Sequence, residues 1–510
     1  MTDEEYREFE EKFNQEQEEK AQKRLAELDK EFPLEERILR LEQAKAEEKL
    51  EKQKVELEEF EGDEPVIDTS QFQPLTVDEL TKTLGLTIKR DQTNKLLTFL
   101  AQLSAYTEDS QLNISFNAPS SSGKSFIPTE IARLFPEKDV IEVAYCSPTA
   151  FFHDYGEFNK EKGGYTVDLS RRILIFLDQP HTLLLQHLRP MLSHDKKEIR
   201  LKITDKSQKA GLRTKNIYLV GFPTVIFCTA GLNLDEQEAT RFLLLSPEIN
   251  QEKIREAIYE KIKKESNSSL YSYELESNPE RKLLRDRVLA IKQERIRLIK
   301  IANPGLVQQM FLERVKVFKP RHQRDIGRVL SLVKVFALLN LWFRERNNFI
   351  ITANDDDIRQ AFKVWDSISE SQELNLPPFV FNLFKDVIQA AYKDKNGESD
   401  GMVQIGLTRQ DIMQKHYEVY GRFLPPWQLK EQIIPLLEAA GLISQEQDTS
   451  DKRKTLIYPT ALLSVPQTPN NGELHGGVED KTIDQLTADE QLEVGKSVFG
   501  EGVKWAEETA

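Results

Sequence analysis

Ala118, Pro119, Ser120, Ser121, Ser122, Gly123, Lys124 and Ser125 fit the spacing A/G-x-x-x-x-G-K-S/T, with alanine in the first slot. Few short runs constrain a fold so tightly. A glycine-containing turn lets successive backbone N–H groups converge on one anion, and the start of a following helix adds its positive dipole. At this spacing Lys124 is placed to reach the terminal phosphates of a nucleotide, and the Ser125 hydroxyl to hold Mg²⁺. Residues 112–116 (LNISF) predict a buried strand before the loop, and residues 125–135 a helix after it. That strand–loop–helix context favours a phosphate cradle over the competing reading, a serine-rich surface turn.

The bulk properties exclude several classes. A chain of 510 residues with 39% hydrophobic and 30% charged residues predicts two or three domains plus tails. No apolar run reaches membrane-spanning length, and the start MTDEEYREFEEKF is acidic rather than signal-like. Two cysteines, Cys146 and Cys228, give no metal framework; Cys228 in TVIFCTA reads as a buried thiol in a reducing, cytoplasmic setting. The net charge of −15 is unevenly spread. Residues 1–64 hold 24 acids against 12 bases, and residues 466–510 hold 10 against 3, which leaves the body between them at +4. A mildly basic body between acidic arms is compatible with nucleic-acid binding.

The domain expectation is an α/β fold with a parallel sheet over residues 65–248, a helical lid over 249–370 and a winged helix over 371–465. A charged helical arm (1–64) and an acidic tail (466–510) flank them. The arm is Glu/Lys/Gln-rich, is broken by Pro33 and lacks a sustained heptad, so a solvated helix is favoured over a coiled coil. In the core, 139–144, 171–178 and 224–229 read as further strands and 181–192 as a helix. Ligands of such sheets sit at the carboxyl ends of the strands, where Asp178, Thr229 and the loop all fall. Residues 249–365 read as helical and charged, with basic-apolar stretches at 281–301 and 323–343. In 375–462 the order helix, helix, strand, turn, strand suits a winged helix with its turn at 445–454.

The strand LIFLD sets Asp178 at its tip, where a second Mg²⁺-holding carboxylate belongs. Gln179 follows, where a nucleotide hydrolase with such a loop usually has a glutamate to polarise the attacking water; an amide orients water but cannot take its proton. His181, Glu236 and Glu238 are substitutes by position, although His181 reads better as structural. Residues 195–215 carry 8 bases against 3 acids and alternate Ile199, Leu201 and Ile203 with charges. They predict a β-hairpin, mounted on the same sheet as the loop, with Lys206 and Lys209 at its tip and Arg213 on its return. Two readings stand: an edge hairpin guarded by lysines, or a finger whose lysines meet nucleic-acid phosphates. Thr229 suits sensing of a terminal phosphate. Arg241, in ATRF, either faces a neighbouring subunit's nucleotide or pairs within the chain with Glu236 or Glu238.

With those residues in place, residues 95–460 resemble the AAA+ ATPases, in particular the helicases with a hairpin before the fourth strand, such as the minichromosome maintenance and viral superfamily 3 helicases. The likeness rests on APSSSGKS, LIFLDQ, the hairpin, FCTA and ATRF in that order. It continues into the run 324–331 (RDIGRVLS) and then DDDIRQA at 355–361. It implies ATP and Mg²⁺ as ligands, with Arg324 from the lid completing the nucleotide pocket and Arg241 acting from the next subunit. It also implies a homo-hexameric ring that hydrolyses ATP and translocates on DNA. Lys452, Arg453 and Lys454 on the wing would hold DNA beside Lys206, Lys209 and Arg213, and the arm would recruit a protein partner. The second expectation is an ATP-switched DNA clamp or scaffold that hydrolyses slowly and does not translocate, which Gln179 favours. Plasmid, phage and integrative-element replication ATPases present a similar arrangement.

Overall fold

The computed structural model describes residues 67–460, except 149–150, 153–155, 161, 206–212, 232–239, 316, 398–404 and 449–452. The arm at 1–64 and the tail at 466–510 lie outside the described residues, as do Lys206, Lys209, Glu236, Glu238 and Lys452.

In chain order the α/β part carries β1 (Ile114–Asn117), β2 (Val140–Val143), β3 (Glu157–Asn159), β4 (Gly164–Asp168), β5 (Ile173–Phe176), β6 (Glu198–Asp205), β7 (Arg213–Val220), β8 (Thr224–Thr229) and β9 (Leu243–Leu245). Five of them form one parallel sheet in the order β2-β5-β8-β1-β9. Alternation along each strand sends successive side chains to opposite faces. Ile173, Ile175, Ile226, Cys228, Ile114 and Phe116 join one core with helices Gln92–Ser104 and Phe126–Ala132. Leu174, Phe176, Val225 and Phe227 point the other way and pack with Leu184, Leu185 and Leu188 of helix Thr182–Leu192. Both faces are therefore dry, which is why these strands read as unbroken apolar runs. The four expected strands are β1, β2, β5 and β8. The fifth, β9, is the leucine run after Arg241-Phe242 and was not foreseen.

The hairpin of β6 and β7 forms as expected, paired from Glu198↔Val220 out to Asp205↔Arg213. Its mounting differs from the expectation. It does not stand on the central sheet but belongs to a second, four-stranded sheet of order β3-β4-β7-β6, in which β4 runs parallel to β7. Glycine makes that pairing possible: a Cβ on Gly164 would lie 2.6 Å from the Asn216 carbonyl oxygen. The sheet's inner face, with Val167, Ile217 and Leu219 buried, joins the same cluster as helix Thr182–Leu192.

Residues 249–370 are mainly helical, as expected, but also carry a small sheet that was not foreseen. Helices Gln251–Ser266, Ser268–Glu276, Pro279–Glu294, Pro304–Arg314, His322–Leu339 and Asp355–Asp366 accompany a small sheet of β10 (Leu298–Ile301), β11 (Glu345–Asn347) and β12 (Ile350–Ala353), against which His322–Leu339 packs. The period-2 burial of Leu298–Ile301, with Ile299 buried between exposed Leu298 and Lys300, is a strand's and not a helix's. The C-terminal part runs from Pro378–Leu383 through a π-turn into Ala390–Asn396, then Arg409–Tyr420, then Pro426–Gln428 continuing to Ile434–Ala439. It closes on β13 (Ile443–Gln447) and β14 (Thr455–Pro459), paired antiparallel.

Two contacts tie the segment from Ser369 onward to the core at β9 and β1. The Gln372 side-chain amide donates to Leu244 O at 2.7 Å and accepts from Leu244 N at 3.2 Å, so it covers the edge strand as a neighbouring strand would. The Ser246 hydroxyl donates to Asn117 O at 2.6 Å and accepts from Phe379 N at 3.1 Å.

Candidate nucleotide site

The loop leaves β1 at Asn117 and turns sharply. Ser121 at φ 63° and Gly123 at φ 89° occupy the left-handed region, which costs a serine energy and glycine little. Ala118 N donates to Thr229 O at 3.3 Å, so the loop's first residue is fixed to the tip of β8. Underneath, the Cys228 thiol donates to Lys124 O at 3.3 Å. The helix that follows starts with Ile127 N and Thr129 N bonding back to Gly123 O and Ser125 O.

Strand order brings the remaining groups alongside. β8 lies between β1 and β5, so the residues that end these strands meet at one carboxyl edge. Asp178 stands exposed past β5, and its Oδ1 accepts from Gln179 N at 2.8 Å. The Thr229 hydroxyl donates to Gln179 Oε1 at 3.1 Å and accepts from Gly231 N at 3.0 Å. Cys228 registers the same convergence: burial pushes its thiol up to about 12, with Lys124 opposing and Asp178 adding to the rise. The structure thus brings together the loop, Lys124, Asp178, Gln179 and Thr229. Sequence reasoning missed Gly231 and the thiol under Lys124; the FCTAG run held both.

The residues present fit a nucleotide phosphate chain. The Ser122 hydroxyl oxygen is buried without a hydrogen-bond partner among the described residues, as are both side-chain polar atoms of Asn117. Orphaned polar groups of this kind concentrate where a ligand completes the network. The space over Gly123 is open, with nothing within 4 Å of an added Cβ. Among the described residues no cluster of three or more His, Cys, Asp or Glu forms a metal site of its own. Ser125 and Asp178 are the oxygen-bearing side chains at this edge that could hold a divalent cation.

Two expected site residues lie elsewhere. Leu243 pairs with Ile114 at the start of β1, so residues 240–242 stand at the amino edge of the sheet, opposite the loop. Arg241 Nε donates there to Ser193 Oγ at 2.8 Å, at the end of helix Thr182–Leu192. Arg324 Nη1 contacts the Thr240 hydroxyl. Arg324 therefore does not complete its own chain's pocket; the sheet's full strand length separates the two. Arg328, which sequence reasoning passed over, donates to Thr240 O at 2.7 Å and Phe242 O at 2.9 Å, bracketing Arg241. His181 is the N-cap of its helix, its Nδ1 accepting from Leu183 N at 3.2 Å.

On the hairpin, the outer face carries a basic and aromatic group. Arg200 bonds Asn216 Oδ1 at 2.9 and 3.2 Å, and Arg200 and Lys162 approach the Tyr218 ring at 5.9 and 5.4 Å. Arg213 opens β7, and Arg453 and Lys454 sit exposed at the entry to β14. No described helix is long and apolar enough to cross a membrane.

No family model matches the sequence, and no curated protein does. Among solved structures, a full-length MCM homolog from Methanopyrus kandleri is similar at TM-score 0.35 and 12% identity. That similarity covers 60% of this chain and 64% of the other, so it spans under two thirds of that protein's length.

Proposed function

We propose that this chain is a DNA-dependent AAA+ ATPase, a helicase-like motor that assembles as a homo-hexameric ring. The observation that carries this reading is the sorting of groups between two sheet edges. Lys124, Asp178, Gln179 and Thr229 meet at the carboxyl edge, while Arg241 and Arg324 are held at the amino edge. Arginines so placed serve a nucleotide only if it belongs to a neighbouring copy, which is the geometry a ring of ATPase subunits requires. The motif order set out above supports the same reading.

In it, residues 118–125 hold the phosphates, and Ser125 and Asp178 hold Mg²⁺. Bound ATP·Mg²⁺ supplies the phosphoanhydride bond that is cleaved. Lys124 brings a fixed ammonium beside the terminal phosphates. Gln179 orients a water through its amide, and Thr229 fixes that amide in place. Arg241 and Arg324 of the adjoining copy neutralise charge that develops on the terminal phosphate. The hairpin, with Lys206, Lys209 and Arg213, and the wing, with Lys452, Arg453 and Lys454, contact DNA phosphates. The charged arm recruits a protein partner.

A second reading is favoured by one observation: the Gln179 carbonyl oxygen, the atom that would accept from an attacking water, already accepts from Thr229. A site so closed binds ATP and turns over slowly, as a clamp does. ATPase rate with and without single-stranded DNA, beside particle mass with ATP, separates the readings. Strong stimulation and a six-subunit mass support the motor. Stable ATP-bound complexes with negligible turnover support the clamp, and Lys124→Ala that still binds ATP tightly removes both.

A further inference from the structure

Helix Gln251–Ser266 is amphipathic in the inverted sense: its acids face the protein and its isoleucines face water. Glu252 and Glu256 pair with Arg90 at 2.9 Å each, and Glu260 pairs with Lys89 at 3.1 Å. Lys253 pairs with Asp91 on the same side. Lys263 reaches the next helix, Ser268–Glu276, through Glu274 at 2.8 Å and the Tyr271 ring at 5.8 Å. At about 3.6 residues per turn, Ile254, Ile258 and Ile262 then fall on the opposite side. They are 41%, 52% and 56% exposed, and no residue of the helix is buried. Arg255 and Lys261 flank this ladder and Lys264 lies further round; none of the three has an ion pair among the described residues. Glu265 is an acid on that side. An apolar patch with a charged rim marks a docking surface.

We infer that this face seats the first twenty residues of the same chain. The inference stands apart from the ATPase reading, and it leaves residues 21–64 of the arm to a protein partner. Three features carry it. Residues 1–20 hold 9 acids against 3 bases, which complements a face whose free charges are Arg255, Lys261 and Lys264 against Glu265. Within them Tyr6, Phe9 and Phe13 recur at i, i+3 and i+7, the spacing with which one helix presents apolar anchors to another surface. The rest of the arm fits less well: residues 33–50 also carry Leu34, Ile38 and Leu41, but their 5 acids and 4 bases nearly cancel. Residues 21–66 then tether the segment to Ile67, the first described residue, with a reach of up to about 150 Å when extended.

The tether keeps the segment at high local concentration, so a short face suffices to hold it. Seated there, its carboxylates withhold Arg255, Lys261 and Lys264 from any other polyanion. The charge part of the contact weakens with salt, whereas the isoleucine part does not.

The test uses the full chain, the full chain carrying Phe9→Ser with Phe13→Ser, and each of these with Ile258→Glu, a change at an exposed position. The probe is a labelled peptide of residues 1–20. Amide exchange across residues 251–266 should be faster in the Phe9/Phe13 variant than in the unaltered chain, by the same factor at every chain concentration. The peptide should bind that variant at least about 10-fold more tightly than the unaltered chain, whose face is already filled. Added salt should weaken the binding. Ile258→Glu, or Arg255→Glu with Lys261→Glu, should abolish it. Peptide binding that is equal in the two chains, or absent from both, overturns the inference. So does an exchange difference that grows with chain concentration, which assigns the segment to another copy. Two further results overturn it by naming a different occupant. A particle mass lowered by Ile258→Glu, with exchange unmoved by the Phe9/Phe13 changes, assigns the face to a second copy of this helix. Retention on anionic phospholipid vesicles that Ile258→Glu removes assigns it to a membrane.

Discussion

The hydroxyl of Thr229 donates to the side-chain carbonyl of Gln179 across 3.1 Å, joining the tips of two adjacent strands at the mouth of the phosphate loop. An amide there has one useful property and one defect. It can position a water molecule, yet it has no basic atom to receive a proton. Gln179→Glu should restore a general base and raise ATP turnover about 100-fold, within the usual range for such a group. Phosphate release under saturating ATP measures it. An unchanged rate would show that the chain draws its base from elsewhere.

The opposed edges of the central sheet give a second prediction. Arg241 is held beside Ser193 at the amino edge, whereas Lys124 is at the carboxyl edge. Arg241→Ala should keep ATP binding and lose about 10³-fold in turnover. Mixing Arg241→Ala with Lys124→Ala subunits should recover part of the activity, since an intact loop from one copy can then meet an intact arginine from another. Mixed samples no more active than either variant alone would place Arg241 in an intrachain role.

How far the sequence reaches can be judged from these same residues. The loop, Asp178 and Thr229 were legible because each sits at a strand end, and apolar runs bounded by polar residues mark strand ends well. β9 was not, because three leucines after an arginine carry no alternation to separate a strand from a buried turn. β10 hid inside a basic helical-looking stretch: Leu298, Lys300 and their neighbours suit either period over so short a run. The second sheet was missed for a different reason. β3 and β4 are three and five residues long, and their pairing depends on Gly164 meeting Asn216, a contact distant in sequence. Which edge holds Arg324 is likewise a property of topology. Motif order alone set it near the nucleotide, and only the register of β9 on β1 moved it to the other end.

The helical part that follows β9 contains a buried ion pair whose loss should be expensive. Arg344 grips Asp357 through Nε and Nη2, at 2.7 and 2.6 Å, with side chains 10% and 2% exposed. Asp357 also completes the capping box of helix Asp355–Asp366 with Asn354. Asp357→Ala leaves a buried guanidinium without its carboxylate and removes a cap, a loss of about 3–5 kcal/mol. A large fall in melting temperature, with faster amide exchange across residues 345–366, is the expected outcome. A melting temperature within a degree of the unaltered chain would contradict it.

Stability should also fall on mild acidification, and the sign follows from two histidines. His194 bonds Gln111 Oε1 at 3.0 Å through Nε2 and packs edge-on against Phe222 at 4.9 Å. Burial holds it below its ordinary value of 6.5; Asp109 and Asp195 oppose that shift and Lys334 adds to it. His416, with Nδ1 at 2.9 Å from Arg422 O, is lowered by burial too; the hydrogen bond to Arg422 O opposes, and the Arg422 charge adds. A histidine held low in the folded chain takes up its proton earlier when unfolded. Above pH 6.5 both states are neutral and the full stability is present; as pH falls towards the folded values, protonation favours the unfolded chain. Each residue can remove up to about 1 kcal/mol per pH unit within that window. Denaturation midpoints taken from pH 7.5 down to 5 should therefore decline, and His194→Gln should flatten the decline by keeping a polar partner for Gln111 without a titrating ring. Parallel pH curves for the two proteins would remove His194 from the account.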